Sequence, residues 1–137
     1  MAFTIRRADY FYATVRDEPG EAYKILSQFA ELGINLLAFT AMPTGPMRAQ
    51  LTLFPESPAR LTDAAKKANL SLDGPHPALL VQGDDALGAL AGVHERLYRA
   101  GVNVYASSGV ADGRGGYGYV LYVRPQDYEH AAQTLGV

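Results

Sequence analysis

The chain has 137 residues, 48% of them hydrophobic, and a formal net charge of −2. That is enough apolar material for one domain or two very small ones, and too little positive charge for a general affinity to nucleic acid or anionic membrane. There is no cysteine, which removes disulfides, thiolate chemistry and cysteine zinc sites together. No apolar run approaches the ~20 residues of a membrane span, and the opening MAFTIRRADYFYATV alternates as a strand does and lacks a signal-peptide core. A soluble cytoplasmic protein is expected.

YFYATV (Tyr10–Val15) is aromatic and β-branched, the composition of a strand. RDEPG then turns into a helix, with Pro19 in the first turn, where its missing N–H costs nothing. Ala22, Ile25, Leu26 and Phe29 recur at helical spacing, and Gly33 stops the helix. INLLAFTAM (Ile34–Met42) reads as a second strand, PTGP as a turn, and AQLTLF (Ala49–Phe54) as a third strand. Ser57 is placed to cap a second helix that carries Pro58 at its first position and Leu61, Ala64, Ala65 and Ala68 on one face. LSL (Leu70–Leu72) is expected as a short fourth strand. The plan then recurs: a strand at Ala78–Val81, a helix at Leu87–Ala100, strands at Val102–Val110 and Tyr117–Val123, and a helix at Pro125–Leu135.

Sliding the chain by 68 positions lays residues 10–69 on residues 78–137 without a gap. Eight of the sixty pairs are identical, against roughly five by chance in a chain rich in Ala, Gly and Leu. Their placement says more than their number. Asp17 meets Asp85, Gly20 meets Gly88, Gly33 meets Gly101, Asn35 meets Asn103 and Gly45 meets Gly113, so turn and cap residues fall on turn and cap residues. The expectation is an α+β chain of two ferredoxin-like βαββαβ sandwiches, each an antiparallel sheet with helices on one face. Unit 1 would span residues 1–72 and unit 2 residues 73–137. Unit 2 ends without a fourth strand of its own, and residues 2–6 (AFTIR) are spare ahead of the first strand; they either fill that edge or lengthen the first strand.

GRGGYGYVLY (Gly113–Tyr122) holds both G-x-G-x-x-G and the outline of an RNA-recognition strand. A dinucleotide turn must run from strand to helix, whereas this one joins two strands. An RNA platform needs its aromatics on the open sheet face and a basic surface. Here Tyr117 and Tyr119 align with the helix-facing Ala49 and Leu51, and residues 73–137 carry four Arg and no Lys against seven acids. The cluster reads as a flexible hairpin connection whose glycines supply positive φ.

VRDEPGEAYKILSQFAELGIN resembles the ACT domain, a small regulatory amino-acid-binding module, through D-x-P-G at Asp17–Gly20, a helix of about twelve residues, and G-I-N at Gly33–Asn35. DALG (Asp85–Gly88) and GVN (Gly101–Asn103) repeat the outline, with Leu87 replacing the proline. The resemblance implies tandem ACT-like units that bind a small amino acid through the loop before the first helix and the start of the second strand. The residues so implied are Asp17, Glu18, Pro19, Gly20 and Asn35, with Asp85, Gly88 and Asn103 as the second set. The chemistry is sound by itself: helix N-terminal N–H groups suit a carboxylate, an asparagine amide suits a zwitterion, and Asp17 offers a counter-charge to an ammonium group.

His76, His94 and His130 share no metal-binding spacing, and Ser107–Ser108 has no neighbouring base. No catalytic residue, metal or cofactor is expected, so the chain is read as a non-enzymatic, stand-alone regulatory sensor acting through a regulated protein partner. The competing readings are an interaction module of the same fold without a ligand, a small enzyme and an RNA-binding protein. A homodimer is also expected. If Leu36, Ala38 and Thr40 face the helices, then Leu37, Phe39 and Ala41 face away, as do Phe54, Tyr105, Val120 and Tyr122, and contiguous apolar surface marks an interface.

Overall fold

The computed structural model describes residues 3–137. Its elements in chain order are β1 (Phe3–Arg16), α1 (Glu21–Glu31), β2 (Leu36–Gly45), β3 (Arg48–Pro55), α2 (Pro58–Lys67), β4 (Asp73–Asp84), α3 (Ala89–Arg99), β5 (Val104–Ala111), β6 (Gly116–Val123), a 3-10 turn at Pro125–Asp127, and α4 (Tyr128–Thr134). The chain divides into two compact units. One is Asp9–His76; the other is Pro77–Val137 with the chain up to Ala8. β1 and β4 each run through a boundary and so supply residues to both.

Within Asp9–His76 the strands neighbour one another in the order β2-β3-β1-β4. β1 and β3 are antiparallel, with Phe11 opposite Leu53 and Ala13 opposite Leu51. Cross-strand partners share a face, so these four side chains point together at the helices. They form a core with Ile25 and Phe29 of α1 and Leu61 and Ala64 of α2. α1 begins at Gly20, which takes φ 89°, a conformation that costs a glycine little. α2 begins as its sequence indicates, with the Ser57 side chain accepting a hydrogen bond from Arg60 N and Pro58 at the first position. The other face of β1 carries Tyr10, whose ring stacks on Phe54 at 5.1 Å and lies 5.3 Å from His76.

In the unit containing Pro77–Val137 the order is β1-β4-β6-β5. Leu79 and Val81 of β4, Val93 and Leu97 of α3, Tyr119 and Leu121 of β6, and Ala131 and Ala132 of α4 make its core, with Ile5 of β1 packed against it. Tyr128 donates a buried hydrogen bond to Ala78 O at 3.0 Å. Arg7 forks onto the Glu129 carboxylate at 2.6 and 3.0 Å and also reaches Val137 O. This contact raises the guanidinium pKa and lowers that of the carboxyl, but both groups are solvated, so it fixes geometry more than it stabilises. Ala2, with which the spare N-terminal segment begins, lies outside the described residues.

Two local expectations are corrected. Leu70–Leu72 is not a strand. α2 closes there with Asn69 at φ 54° and Leu70 N bonded to Ala65 O, and both leucines fold back on the core, so the strand starts at Asp73 instead. The face assignment in β2 slips by one residue. The β2–β3 register shifts between Leu36 and Ala38, after which Phe39 lies opposite Leu53 and Ala41 opposite Leu51. A bulge moves every later side chain to the other face, so Phe39 joins the helix-facing side, at the sheet edge. In β6 the alternation is as read: Tyr122 is opposite Ala106, and its ring lies 6.4 Å from that of Tyr105.

Gly74 has φ 147°, and a Cβ there would sit 2.8 Å from Tyr10 O and 2.9 Å from Phe11 Cδ2. Gly74→Ala should therefore cost about 1–3 kcal/mol, read as a lower urea midpoint with an unchanged m-value.

Candidate functional site

The loop before α1 is placed by a backbone bond from Asp17 N to Met47 O at 2.8 Å, which ties it to the β2–β3 hairpin. Asp17, Glu18, Pro19 and Gly20 are all exposed. Asn35 stands elsewhere. It precedes Leu36, which pairs with Pro55, whereas the hairpin end of the same strands pairs Gly45 with Arg48. The length of β3 separates the two, roughly 20 Å at the usual strand rise. The Asn35 amide donates to Glu56 Oε2 at 2.7 Å, and Glu56 N donates back to Asn35 O at 2.9 Å. The hollow beside it, between Gly33, Asn35, Ser57 and Arg60, has a volume of about 90 Å³, small against the several hundred of an ordinary ligand site.

The second set is arranged alike. Asp85 N bonds Gly115 O at 2.8 Å, Gly88 leads α3 at φ 78°, and Asn103 precedes Val104 at the far end, where β5 pairs with Val123. In neither unit, then, does the structure bring the asparagine to the loop residues with which it was grouped.

Asp85 and Gly88, however, open onto a cavity of about 710 Å³, a volume suited to a small ligand. Its walls are the loop and first turn of α3, Gly109–Ala111 of β5 and Tyr117–Tyr119 of β6. Its floor is the Tyr119 ring, 8% exposed. The ring occupies the space a side chain at Gly109 would need, since a Cβ there would lie 2.5 Å from it, and Tyr119 Oη shares a 2.6 Å hydrogen bond with His94 Nε2. Tyr117 Oη is closed to solvent and has no hydrogen-bond partner. Burial, then the charges of Asp84 and Asp85, push its pKa up, so the phenol stays neutral.

Gly109, Tyr117 and Tyr119 line this cavity and His94 contacts Tyr119; none is among the residues that the resemblance implies, although the sequence holds a signal for them. At the 68-residue offset the first unit has Leu26, Ala41, Ala49 and Leu51 at these places. The differences set a histidine, a glycine and two tyrosines where the first unit has aliphatic side chains, of which Leu51 belongs to its core. The β5–β6 connection beside it contains Gly113 at φ 76° and Gly115 at φ 90°. Asp112 holds it, accepting from Arg114 N at 2.6 Å and Gly116 N at 3.0 Å. The remaining histidines are engaged separately: His76 Nε2 lies 3.3 Å from Asp73 Oδ1, off hydrogen-bonding direction, and His130 Nε2 meets Ala100 O at 3.0 Å. Among the described residues no group of three or more His, Cys, Asp or Glu is placed to hold a metal ion, and no helix is long and apolar enough to cross a membrane.

This architecture is shared with known structures. A Bacteroides thetaiotaomicron protein superposes with TM-score 0.79 at 18% identity, covering 96% of this chain and 88% of that one. The regulatory subunit of aspartate kinase from Thermus thermophilus, in a ligand-free form, gives 0.65 at 15% identity, covering 97% and 93%. A putative C-terminal regulatory domain of aspartate kinase from Porphyromonas gingivalis gives 0.55 at 15%, covering 98% and 94%. The fold is therefore ACT-like, and these aspartate kinase neighbours are regulatory parts of their enzymes. No family model and no curated protein matches the sequence.

The two backbone bonds onto Asp112 lower its pKa. A depressed folded-state pKa contributes stability above the ordinary aspartate range that is lost as pH falls through the lowered value. An NMR titration should place the Asp112 carboxyl below that range. The stability gap between wild type and Asp112→Ala should be widest near neutrality and close in acid.

Proposed function

We propose that the chain is a stand-alone, cytoplasmic, non-enzymatic regulator built of two ACT-like units that bind a small amino acid and signal through a protein partner. The observation that carries this reading is the cavity of about 710 Å³ at the loop before α3, where Asp85 and Gly88 stand. The likeness of fold to aspartate kinase regulatory domains supports it. So does the spacing of the elements: α1 and α3 each have eleven residues and begin at Glu21 and Ala89, 68 positions apart, each led by a left-handed glycine. The unit boundaries would follow compactness, with the start of β1 serving as the fourth strand of the second unit, as the packing of Ile5 and the Arg7–Glu129 contact suggest. Asp17, Glu18, Pro19 and Gly20 would be the corresponding loop of the first unit. Asn35 and Asn103, at the far ends of their strands, would meet ligand only from another copy of the chain.

Thermal shift with each of the twenty amino acids at millimolar concentration tests the reading. A ligand at 100 times its dissociation constant adds about 2.7 kcal/mol, a readily measured rise in melting temperature. If no amino acid moves it, the chain is instead an interaction module of this fold.

Assembly into a homodimer belongs to the same proposal. Tyr105, about half exposed, and its ring neighbour Tyr122 form an aromatic patch on the sheet face away from the helices, the kind of surface that association covers. Light scattering at tens of micromolar should give twice the chain mass for wild type and the chain mass for Tyr122→Lys. A monomeric wild type removes the dimer from the proposal.

A further inference from the structure

The sheet of Asp9–His76 sets two positive charges face to face. Arg16 of β1 and Arg48 of β3 lie directly opposite one another. One step further, Asp17 N–H bonds Met47 O at 2.8 Å. Hydrogen-bonded and non-hydrogen-bonded pairs alternate along an antiparallel ladder, so Arg16 and Arg48 form the closer kind, with Cα atoms about 4.5 Å apart. Like charges opposed in this way destabilise a sheet. A carboxylate between them would relieve the repulsion. Asp17 and Glu18 are next in the chain, yet among the described residues neither guanidinium has an ion pair or a side-chain hydrogen bond. Both arginines are exposed, and the space beside them is open: the β2 residue opposite Arg48 is Gly45, and nothing lies within 4 Å of where its Cβ would stand. Two residues along the same face the opposed pair is Thr14 and Gln50, a hydroxyl and an amide that can both donate. At the 68-residue offset the other unit has Asp84 opposite Gly116 and Gln82 opposite Gly118, so the doubled positive charge belongs to this unit alone.

We propose that Arg16 and Arg48 form a binding site for a doubly charged phosphate group, free or carried on a small monoester. The planar fork of each guanidinium matches phosphate oxygens and binds them by paired, charge-assisted hydrogen bonds. Gln50 and Thr14 supply further donors on the same face. Two negative charges cancel the opposition of the two arginines, whereas a singly charged anion leaves one of them uncompensated. The bond from Asp17 N–H to Met47 O holds the start of β3 in the register that keeps the pair facing. The site uses none of the side chains assigned to amino-acid binding, so the two readings stand or fall separately.

The test is calorimetric titration of the full chain at low ionic strength, where exposed charges are least screened, with phenyl phosphate, phenyl sulfate and inorganic phosphate. The first two share a shape and a tetrahedral head, but above neutrality the phosphate carries close to two charges and the sulfate one. Phenyl phosphate should bind, and phenyl sulfate should bind about tenfold more weakly or not at all. Arg16→Gln and Arg48→Gln should each weaken phenyl phosphate about tenfold or more through loss of a charge-assisted fork. Arg124→Gln, which removes the same charge from the other unit, should leave it unchanged. Both site variants should fold, with urea midpoints at or above that of wild type, because each ends a like-charge opposition. Inorganic phosphate binding as tightly as the ester would mark the free ion as the ligand, and tighter binding of phenyl phosphate would mark an ester; either result supports the site. Wild-type affinity in Arg16→Gln and Arg48→Gln would overturn the inference. So would equal affinity for phenyl sulfate, an equal loss in Arg124→Gln, or no binding of either phosphate.

Discussion

A single backbone hydrogen bond sets the geometry on which each unit's candidate site depends. Asp85 N–H to Gly115 O, and Asp17 N–H to Met47 O, both at 2.8 Å, anchor the loop that leads into a helix against the hairpin joining the two following strands. Each loop ends in a left-handed glycine ahead of its helix: Gly20 and Gly88 take φ values of 89° and 78° that other residues adopt only at a cost. The acidic residue at the head of each loop is thereby left facing solvent, not spent as a helix cap: neither α1 nor α3 has a side-chain cap bond.

The two units carry different side chains at the positions that the 68-residue offset aligns. In Asp9–His76 the positions beneath the loop are Leu26, Ala41, Ala49 and Leu51, and Leu51 is 1% exposed in a continuous apolar core. In the other unit the corresponding positions hold a histidine, a glycine and two tyrosines. Removing the Cβ at Gly109 admits the Tyr119 ring, the His94 contact orients it, and space is left above it. Close packing elsewhere in that core, where Leu79, Val81 and Leu121 have no exposure, keeps the walls from relaxing into the gap. The Tyr117 hydroxyl is closed to water there without a partner, and its side chain packs against that core.

The second strand of each unit shows the limit of reading faces by alternation. β2 and β5 both shift register near their starts, between Leu36 and Ala38 and between Val104 and Ala106. An irregularity of one residue leaves no mark in a run such as LLAFTA, where both faces are apolar, so Phe39 was assigned to the wrong side. β6 has no such shift, and Tyr119 and Tyr122 lie where their spacing puts them.

Local chemistry, therefore, was legible in the chain alone. The strand and helix order, Ser57 and Pro58 at the head of α2, the left-handed turn glycines and the hairpin nature of Gly113–Gly116 all follow from residue type and near neighbours, since φ preference, capping and periodicity act within a few positions. Leu70–Leu72 misled because three apolar residues suit a strand or a helix exit equally, and the packing of Leu70 and Leu72 against the first unit's core decided between them. The separation of Asn35 from Asp17 and of Asn103 from Asp85 was likewise beyond the sequence. A motif records distance along the chain, while an intervening helix carries the chain to the far end of the strands. The lining of the cavity by α3, β5 and β6, the closure of Tyr117 Oη from water and the meeting of His94 with Tyr119 depend on residues far apart in the chain, 25 positions for His94 and Tyr119, and packing alone brings such residues together.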